Sequence, residues 1–153
     1  MILSRATLAD LPQIAVLERE GFEHAGWSPE AWRDEIVGAD RHVLVVRDAD
    51  GAIVGVATFQ AVVDVADLHR VVVRADQRGR GIGARLVLAG IDWAQATGAH
   101  RVLLEVEAEN APALALYEGL GFRPVGRRSD YYGVGVHALV MELALRDADR
   151  SIA

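Results

Sequence analysis

Hydrophobic and polar residues follow two different periods along this chain, and the changes between them predict the order of its elements. Short valine- and isoleucine-rich runs are typical of β-strands, whereas apolar residues three and four positions apart are typical of helices. The runs predict strands over residues 2–6, 42–47, 52–63, 66–74, 101–108, 122–128 and 136–145. The helical spacing predicts helices over residues 8–20, 29–37, 84–97 and 111–120. Antiparallel hairpins followed by a strand–helix–strand unit indicate an α/β (α+β) protein whose mixed, mostly antiparallel sheet carries helices on its faces.

Capping residues mark where two of the helices begin. Ser28 followed by Pro29, and Asn110 further along, match the sequence signature of a helix N-terminus. Nothing between the elements has the composition of a linker, a repeat or a low-complexity segment. We therefore expect a single domain over residues 1–146, followed by a flexible tail over residues 147–153.

The composition excludes several classes of chemistry. The 153 residues contain no cysteine and no lysine, and 16 arginines face 22 acidic residues, for a net charge of −6. The absence of cysteine and lysine excludes disulfides, thiolate metal sites, a cysteine acyl-enzyme and a P-loop lysine. The net negative charge argues against general nucleic-acid binding. The five histidines lack metal-ligand spacing, so we expect no metal. Because the longest apolar run, residues 52–63, is shorter than the roughly 20 residues that span a bilayer, we expect a cytoplasmic protein without membrane contact.

A glycine-rich turn joins the fourth strand to the third helix. From Arg78 to Gly83 the sequence reads RGRGIG, and such glycines allow a tight turn that brings several backbone N–H groups to one ligand. The helix start adds partial positive charge, so the turn suits a phosphate or pyrophosphate, although a flexible connection fits the same residues. The segment from Arg70 to Arg85 holds five arginines and one acid, which concentrates positive charge there. Since no lysine follows the glycines and no Rossmann first strand precedes them, a carrier such as coenzyme A is the candidate ligand.

Two motifs relate the chain to a known family. Residues 77–83, QRGRGIG, resemble the coenzyme A signature R/Q-x-x-G-x-G/A of the GNAT acetyltransferases. Further residues are similar to the ribosomal-protein alanine N-acetyltransferase (RimI) branch of that family: Trp27, Ser28, 104–106, Asn110, 115–118, Gly121, Phe122, Arg128, Tyr131, Tyr132 and Met141. The resemblance implies a GNAT fold of about seven strands and about four helices, in which strands four and five splay apart.

The resemblance also implies acetyl-coenzyme A as the cosubstrate. Backbone groups of strand four would line the pantetheine arm in the slot between the splayed strands, and the glycine-rich turn would hold the pyrophosphate. Asn110 would lie beside the cosubstrate as well as cap its helix. The residues implied in binding are Val71, Val72, Val73, Arg78, Gly79, Arg80, Gly81, Ile82, Gly83, Ala84 and Asn110.

Glu105 is the candidate general base. Strand alternation places Leu103, Glu105 and Glu107 on one face of strand five, where carboxylates indicate a wet cleft or, equally, a solvated acidic face. Without cysteine, the simplest scheme is direct attack of an amine in a ternary complex, which needs a base to remove the ammonium proton. The motif match implies Glu105 for that role.

Tyr117 is the candidate general acid. It lies one turn after Leu114 on the helix that Asn110 caps, a position that spacing alone assigns to core packing. A tyrosine, with a reference pKa near 10, is nevertheless a suitable proton donor to a leaving thiolate. The match at residues 115–118 implies this role, and the family geometry implies a backbone N–H near Val73 for the oxyanion.

The acceptor side is marked by five candidate residues. These are Trp27, His69, Glu107, Tyr131 and Tyr132, for which core packing or a solvated surface are the alternatives. The chain departs from the RimI pattern at His69-Arg70, at Glu107, at His137 and in a short loop after Tyr132, all of which lie where the acceptor would dock. The departures therefore concern the identity of the acceptor more than the chemistry.

These features together predict an acetyl-coenzyme-A-dependent N-acetyltransferase acting on a protein or peptide N-terminal α-amine, with a ribosomal protein as one candidate acceptor. A GNAT enzyme acting on a small amine or amino-acid metabolite is an alternative. A non-catalytic coenzyme A or nucleotide-binding module is another. Either a monomer or a homodimer is compatible with the sequence.

Overall fold

The computed structural model describes residues 1–22 and 26–145, which contain seven strands and four α-helices in the predicted order. The strands are β1 (Ile2–Arg5), β2 (Arg41–Arg47), β3 (Ile53–Val62), β4 (Val65–Val73), β5 (Arg101–Glu107), β6 (Arg123–Gly133) and β7 (Val136–Ala144). The helices are α1 (Leu11–Gly21), α2 (Pro29–Val37), α3 (Ile82–Ala96) and α4 (Ala111–Gly119), with short 3-10 turns at Leu8–Asp10 and Ala75–Gln77. None of the helices in these ranges has the length and apolar character needed to cross a bilayer. The tail predicted over 147–153 lies outside the described residues.

The strands form one mixed sheet in the order β1-β2-β3-β4-β5-β7-β6. The pairs β1–β2, β2–β3, β5–β7 and β6–β7 are antiparallel, whereas β4 and β5 are parallel. The parallel register joins Val65–Leu68 to Arg101–Leu104 and ends there, although β4 continues to Val73 and β5 to Glu107. This arrangement confirms the predicted fold class, including a β4–β5 pair that is joined along only part of its length.

The chain divides into two compact units, of which the first comprises Met1–Gln60 with Arg70–Gly90. Its core forms because the apolar faces of α1 and α2 cover the buried strands β2 and β3. The predicted cap of α2 is present, since Ser28 Oγ accepts a hydrogen bond from the Ala31 N–H at 3.1 Å. The core side chains are Ala6, Ile14, Leu17, Trp32, Val43, Val45, Ile53, Val56 and Val72.

The second unit comprises Ala61–His69 with Ile91–Ala153. Burial alternates along β5, where Val102, Leu104 and Val106 are buried and the residues between them are not. This pattern confirms the two faces predicted from strand alternation. The cap of α4 is also confirmed, because the Asn110 side chain accepts a hydrogen bond from the Ala113 N–H at 3.2 Å.

The end of β6 is the one strand boundary that the sequence analysis misplaced by several residues. The prediction ended the strand at residue 128, but β6 runs to Gly133, so that Tyr131 and Tyr132 lie on a strand and not in a loop. The register shifts between Arg128 and Gly133, and Asp130 has a φ of +56° within this irregularity. All eleven residues of β6 are exposed, so the strand lacks the apolar alternation by which strands are recognised.

Candidate active site

The glycine-rich turn of the first unit holds two glycines in the left-handed conformation. Gly79 and Gly81 have φ angles of +77° and +80°, in the left-handed region that only glycine adopts at little cost. Ile82 is buried and anchors the start of α3 behind the turn, and the Arg85 N–H already bonds the Gly81 carbonyl at 3.0 Å. Left-handed glycines directly before a helix start allow several backbone N–H groups to point towards one ligand, an arrangement that suits a pyrophosphate.

Two of the arginines in this basic segment form ion pairs within the protein. Arg70 bonds Glu18, and Arg74 Nε lies 2.6 Å from Asp76 Oδ1. The surplus near the turn therefore comes mainly from three exposed arginines, Arg78 and Arg80 in the turn and Arg85 on α3. The segment is basic in sequence, as predicted, but not all of its five arginines are available to bind a ligand.

A cleft of about 290 Å³ lies beside the turn in the same unit, with Leu17, Gly21, Val73 and Arg78 among its lining residues. Arg78 reaches back across it, since its Nε donates to the Val73 carbonyl at 3.1 Å. Glu20 and Asp76 also line this cleft, so the fit to the anionic end of a coenzyme A thioester rests on the left-handed glycines and the exposed guanidinium groups of the turn.

The edge of β4 that faces away from β3 offers backbone groups beside this cleft. The Arg74 N–H donates to the Val54 carbonyl on β3 at 2.8 Å, so the backbone groups of Val73 point to the opposite edge of the strand. By the same alternation Val71 presents its N–H and C=O at that edge, whereas the groups of Val72 point towards β3. Val71 and Val73 are therefore better placed than Val72 to bind a ligand through their backbone.

Glu105 in the second unit is the centre of a hydrogen-bonded group. It is half-buried on β5, and its Oε1 lies 3.2 Å from Nε of Arg128 on β6. The hydroxyl of Tyr131 donates a hydrogen bond to the same carboxylate, and this bond raises the pKa of Tyr131. Because the Arg128 side chain is 58% exposed, water screens its charge and the carboxylate stays available to an amine.

Tyr117 lies on α4 with its ring packed against Phe122, at a centroid distance of 5.8 Å. Burial, with a smaller contribution from the nearby Tyr132, raises the pKa of Tyr117 to about 12. The phenol therefore keeps its proton throughout the neutral and mildly alkaline range. Both roles considered for this residue, core packing and proton donation, are compatible with the contacts.

The β6–β7 hairpin brings two more of the predicted residues into this group. The rings of Tyr131 and Tyr132 meet edge to face at 4.9 Å. Tyr131 bonds Glu105, and Tyr132 lies close enough to Tyr117 to affect its pKa. The structure thus brings together four residues that the sequence analysis had selected separately.

Asp67 is a carboxylate that the sequence analysis missed. It pairs with Leu103 in the parallel register, which places Asp67 on the same sheet face as Glu105, and His69 follows two positions later on that face. Burial raises the pKa of Asp67 above the usual 3.8, with opposing contributions from His69, which lowers it, and Glu105, which raises it. A polar residue in a valine-rich strand was the signal that could have revealed it.

Replacing Asp67 by asparagine is expected to stabilise the protein at pH 7 and to leave its stability nearly unchanged at pH 3. A carboxyl whose folded pKa is raised binds its proton more tightly when folded, so stability falls as the pH rises from 3.8 to the raised folded value. Asparagine has no such charge to bury. Urea unfolding of both proteins at several pH values measures the difference, and a variant less stable than the wild type at pH 7 would contradict it.

The remaining predicted residues occupy separate places. Glu107 is exposed at the end of β5, where its carbonyl accepts the Asn110 N–H at 3.0 Å. Trp27 belongs to the first unit, partly buried, with its ring 5.0 Å from that of Trp32. Among residues 1–22 and 26–145 no group of three or more histidine, aspartate or glutamate side chains is arranged to hold a metal ion.

Comparison with known proteins identifies the class of enzyme. The chain is 36% identical over 141 residues to the N-alpha-acetyltransferase RimI of Mycobacterium tuberculosis, covering 88% of this chain and 87% of that protein. It is 33% identical over 141 residues to the L-methionine sulfoximine/L-methionine sulfone acetyltransferase of Pseudomonas aeruginosa, covering 80% of each. The crystal structure of the ribosomal-protein-S18-alanine N-acetyltransferase from Escherichia coli matches with a TM-score of 0.84 at 30% identity, over 94% of this chain and 92% of that one.

The fold, the glycine-rich turn and these relatives define an acetyl-coenzyme-A-dependent N-acetyltransferase. Residues 8–122 match the profile of the acetyltransferase (GNAT) family, and the chain belongs to that family. RimI-type enzymes are prominent among its relatives, as the sequence motifs predicted.

Proposed function

We propose that this protein transfers the acetyl group of acetyl-coenzyme A to the N-terminal α-amine of a protein or peptide, with Glu105 as general base and Tyr117 as general acid. The observation that carries the proposal is the group of side chains around these two residues. Tyr131 bonds the Glu105 carboxylate and Tyr132 lies beside Tyr117, so a base and an acid share one polar neighbourhood.

Binding of the cosubstrate is assigned to the first unit. The N–H groups around Gly79 and Gly81, with the exposed side chains of Arg78 and Arg80, would hold the pyrophosphate. The remaining residues implied at this turn, Ile82, Gly83 and Ala84, supply the start of α3. The edge of β4 would hold the pantetheine arm through its backbone. Acetyl-coenzyme A supplies the activated acetyl thioester, and the protein supplies orientation and proton transfer.

Glu105 accepts the proton that the α-ammonium group must lose before it attacks. An α-amine has a reference pKa near 8, so much of the acceptor arrives protonated at neutral pH. A carboxylate that is half-buried and fixed by Arg128 and Tyr131 accepts this proton directly or through one water. Backbone N–H groups at the edge of β4 are candidates for stabilising the oxyanion.

Tyr117 donates a proton to the sulfur as the carbon–sulfur bond breaks. Its raised pKa means that every enzyme molecule carries this proton at working pH. The same burial makes the phenol a weaker acid than free tyrosine, so we place its contribution near the lower end of the usual range, roughly 10²-fold.

The acceptor contacts are assigned to Trp27, His69, Glu107, Tyr131 and Tyr132. Relatives named for α-amine acetylation, among them the Mycobacterium tuberculosis and Escherichia coli enzymes, favour a protein N-terminus, and a ribosomal protein is one candidate. The relative named for methionine sulfoximine and sulfone, at 33% identity, favours a second candidate, acetylation of a small amino-acid derivative.

A panel of acceptors tests the proposed function. Thiol release is measured with short peptides bearing free N-termini, the same peptides with blocked N-termini and one lysine, and free amino acids including methionine sulfone. We expect activity on free N-terminal peptides, none on the blocked lysine peptides, and weak activity on amino acids. Exclusive use of free amino acids would replace the peptide proposal by the second candidate.

Replacing Gly81 by alanine is expected to weaken acetyl-coenzyme A binding about tenfold. A Cβ in the left-handed region costs roughly 1–2 kcal/mol, and relaxing that strain would turn the N–H groups away from the pyrophosphate. The matched control is Gly51→Ala, because Gly51 has a φ of +82° and equally open surroundings in the β2–β3 turn. Calorimetric titration should show weaker binding for the first variant only; equal affinities in both would remove the turn from the binding site.

A further inference from the structure

A buried ion pair in the first unit has no role in the chemistry described above. Glu18 on α1 is 1% exposed, and Arg70 on β4 binds it through two parallel hydrogen bonds, Nε to Oε1 at 2.7 Å and Nη2 to Oε2 at 2.6 Å. Trp32 Nε1 donates to the same carboxylate at 3.0 Å. The buried carboxylate therefore has three donors, which is the satisfaction that a buried charge requires.

The guanidinium of Arg70 is also stacked on two aromatic rings. Its Cζ lies 4.0 Å from the ring centroid of Phe22 and 5.1 Å from that of Trp27. Trp27 in turn meets Trp32 at 5.0 Å, with the ring planes inclined at 52°. We call these five residues, Glu18, Phe22, Trp27, Trp32 and Arg70, the Glu18–Arg70 cluster. Arg70 is the member that touches Glu18 and both outer rings at once, and Trp27 lies in contact with both Arg70 and Trp32.

Stability alone is a weak explanation for such a pair. Two charges lose most of their hydration on burial, and well-packed apolar residues of similar volume often serve the fold equally well or better. A planar guanidinium that binds a carboxylate through two hydrogen bonds fixes the relative position of the two side chains. Here the guanidinium contacts the ring of Trp27, and Arg70 directly precedes Val71, the first of the β4 residues assigned to the cosubstrate.

We propose that Arg70, held by Glu18, is a positioning residue that orients Trp27 towards the acceptor and so helps to determine which amines are acetylated. The inference rests on the proposed function through the assignment of Trp27 to the acceptor side. Arg70 acts through the indole of Trp27 and takes no part in proton transfer. Its loss should raise the KM for the acceptor while the KM for acetyl-coenzyme A and kcat change little.

Two variants of the full chain test this role. Arg70→Lys keeps the charge but loses the two-pronged bond and the planar stack. The double variant Glu18→Gln/Arg70→Met removes both charges and keeps an acceptor for the Trp32 N–H, so it leaves no unpaired buried charge if the lysine variant fails to fold. For both we expect the acceptor KM to rise at least tenfold, with the acetyl-coenzyme A KM and kcat within about twofold of the wild type.

The matched control is Arg47→Lys. Arg47 Nη2 lies 2.6 Å from the buried carboxylate of Asp10 in the same unit. Because no aromatic ring of the cluster depends on this pair, both KM values should stay at their wild-type level. If the Arg70 variants lower the melting temperature as the control does but leave the acceptor KM unchanged, the ion pair is structural and the inference is overturned.

Failure of the inference can be told apart from failure of the proposed function. The measurements use whichever amine the wild-type enzyme acetylates best, so a small-amine enzyme would overturn the peptide assignment and still report on Arg70. A uniform fall in kcat, or equal rises in both KM values, would overturn the positioning role whatever the acceptor. A selective rise in the acceptor KM would support it.

Discussion

Replacing Tyr117 by phenylalanine is expected to lower kcat roughly 10²-fold and to leave the dissociation constant of acetyl-coenzyme A unchanged. The substitution removes the proton donated to the leaving sulfur and leaves the glycine-rich turn intact. The ring of phenylalanine can keep the edge contact with Phe122, so the melting temperature should change little. Steady-state thiol release, calorimetric titration of acetyl-coenzyme A and thermal unfolding measure the three quantities.

A second substitution separates proton donation from packing at the same position. Tyr117→Leu loses both the hydroxyl and the aromatic contact, so it should be as inactive as Tyr117→Phe and less stable. If Tyr117→Phe turns over normally while Tyr117→Leu does not, the residue serves the core and another group protonates the sulfur. The pKa of about 12 adds a further expectation, that kcat shows no alkaline decline due to Tyr117 below about pH 10.

The sequence predicted most elements because their local signals agree with the final packing. Valine-rich strands, the Ser28 and Asn110 caps and the RGRGIG turn all have the structures that their patterns indicate. The exception is β6, whose exposed residues carry no apolar period beyond Arg128 and whose register shifts there. Where tertiary pairing alone holds a strand, single-sequence patterns do not reveal its end.

The lack of a local sequence signal also explains why some site residues were not predicted from the sequence. Glu105 and Tyr117 stand in motifs, but the partners that surround them come from other strands, and only the register places Asp67 on the face of Glu105. Glu18 stands at a helical position that could be either core or surface, and its burial depends on Arg70, 52 residues away. Partnerships between distant polar residues have no local signature, so they become visible only in the folded chain.

Replacing Glu105 by glutamine is expected to lower kcat/KM for the acceptor by about 10²- to 10³-fold at pH 6.5 and by much less at pH 9. The base is needed only while the α-amine is protonated, and above its reference pKa near 8 the acceptor arrives neutral. Glutamine keeps the shape of glutamate and an oxygen for the Tyr131 hydroxyl, and the exposed Arg128 returns to water at little cost. Rates of thiol release from pH 6.5 to 9 give the ratio of wild type to variant.

Glu107→Gln is the matched control, since Glu107 lies two residues further on the same face of β5 but is exposed. The ratio of wild type to this variant should stay within about twofold from pH 6.5 to 9, because water screens the attraction between an exposed carboxylate and a cationic acceptor. For Glu105→Gln the ratio should fall steadily as the pH rises. A deficit that is equally large at pH 6.5 and pH 9 would mean that Glu105 orders Tyr131 and Arg128 instead of accepting the ammonium proton, because that structural role does not depend on the protonation of the acceptor.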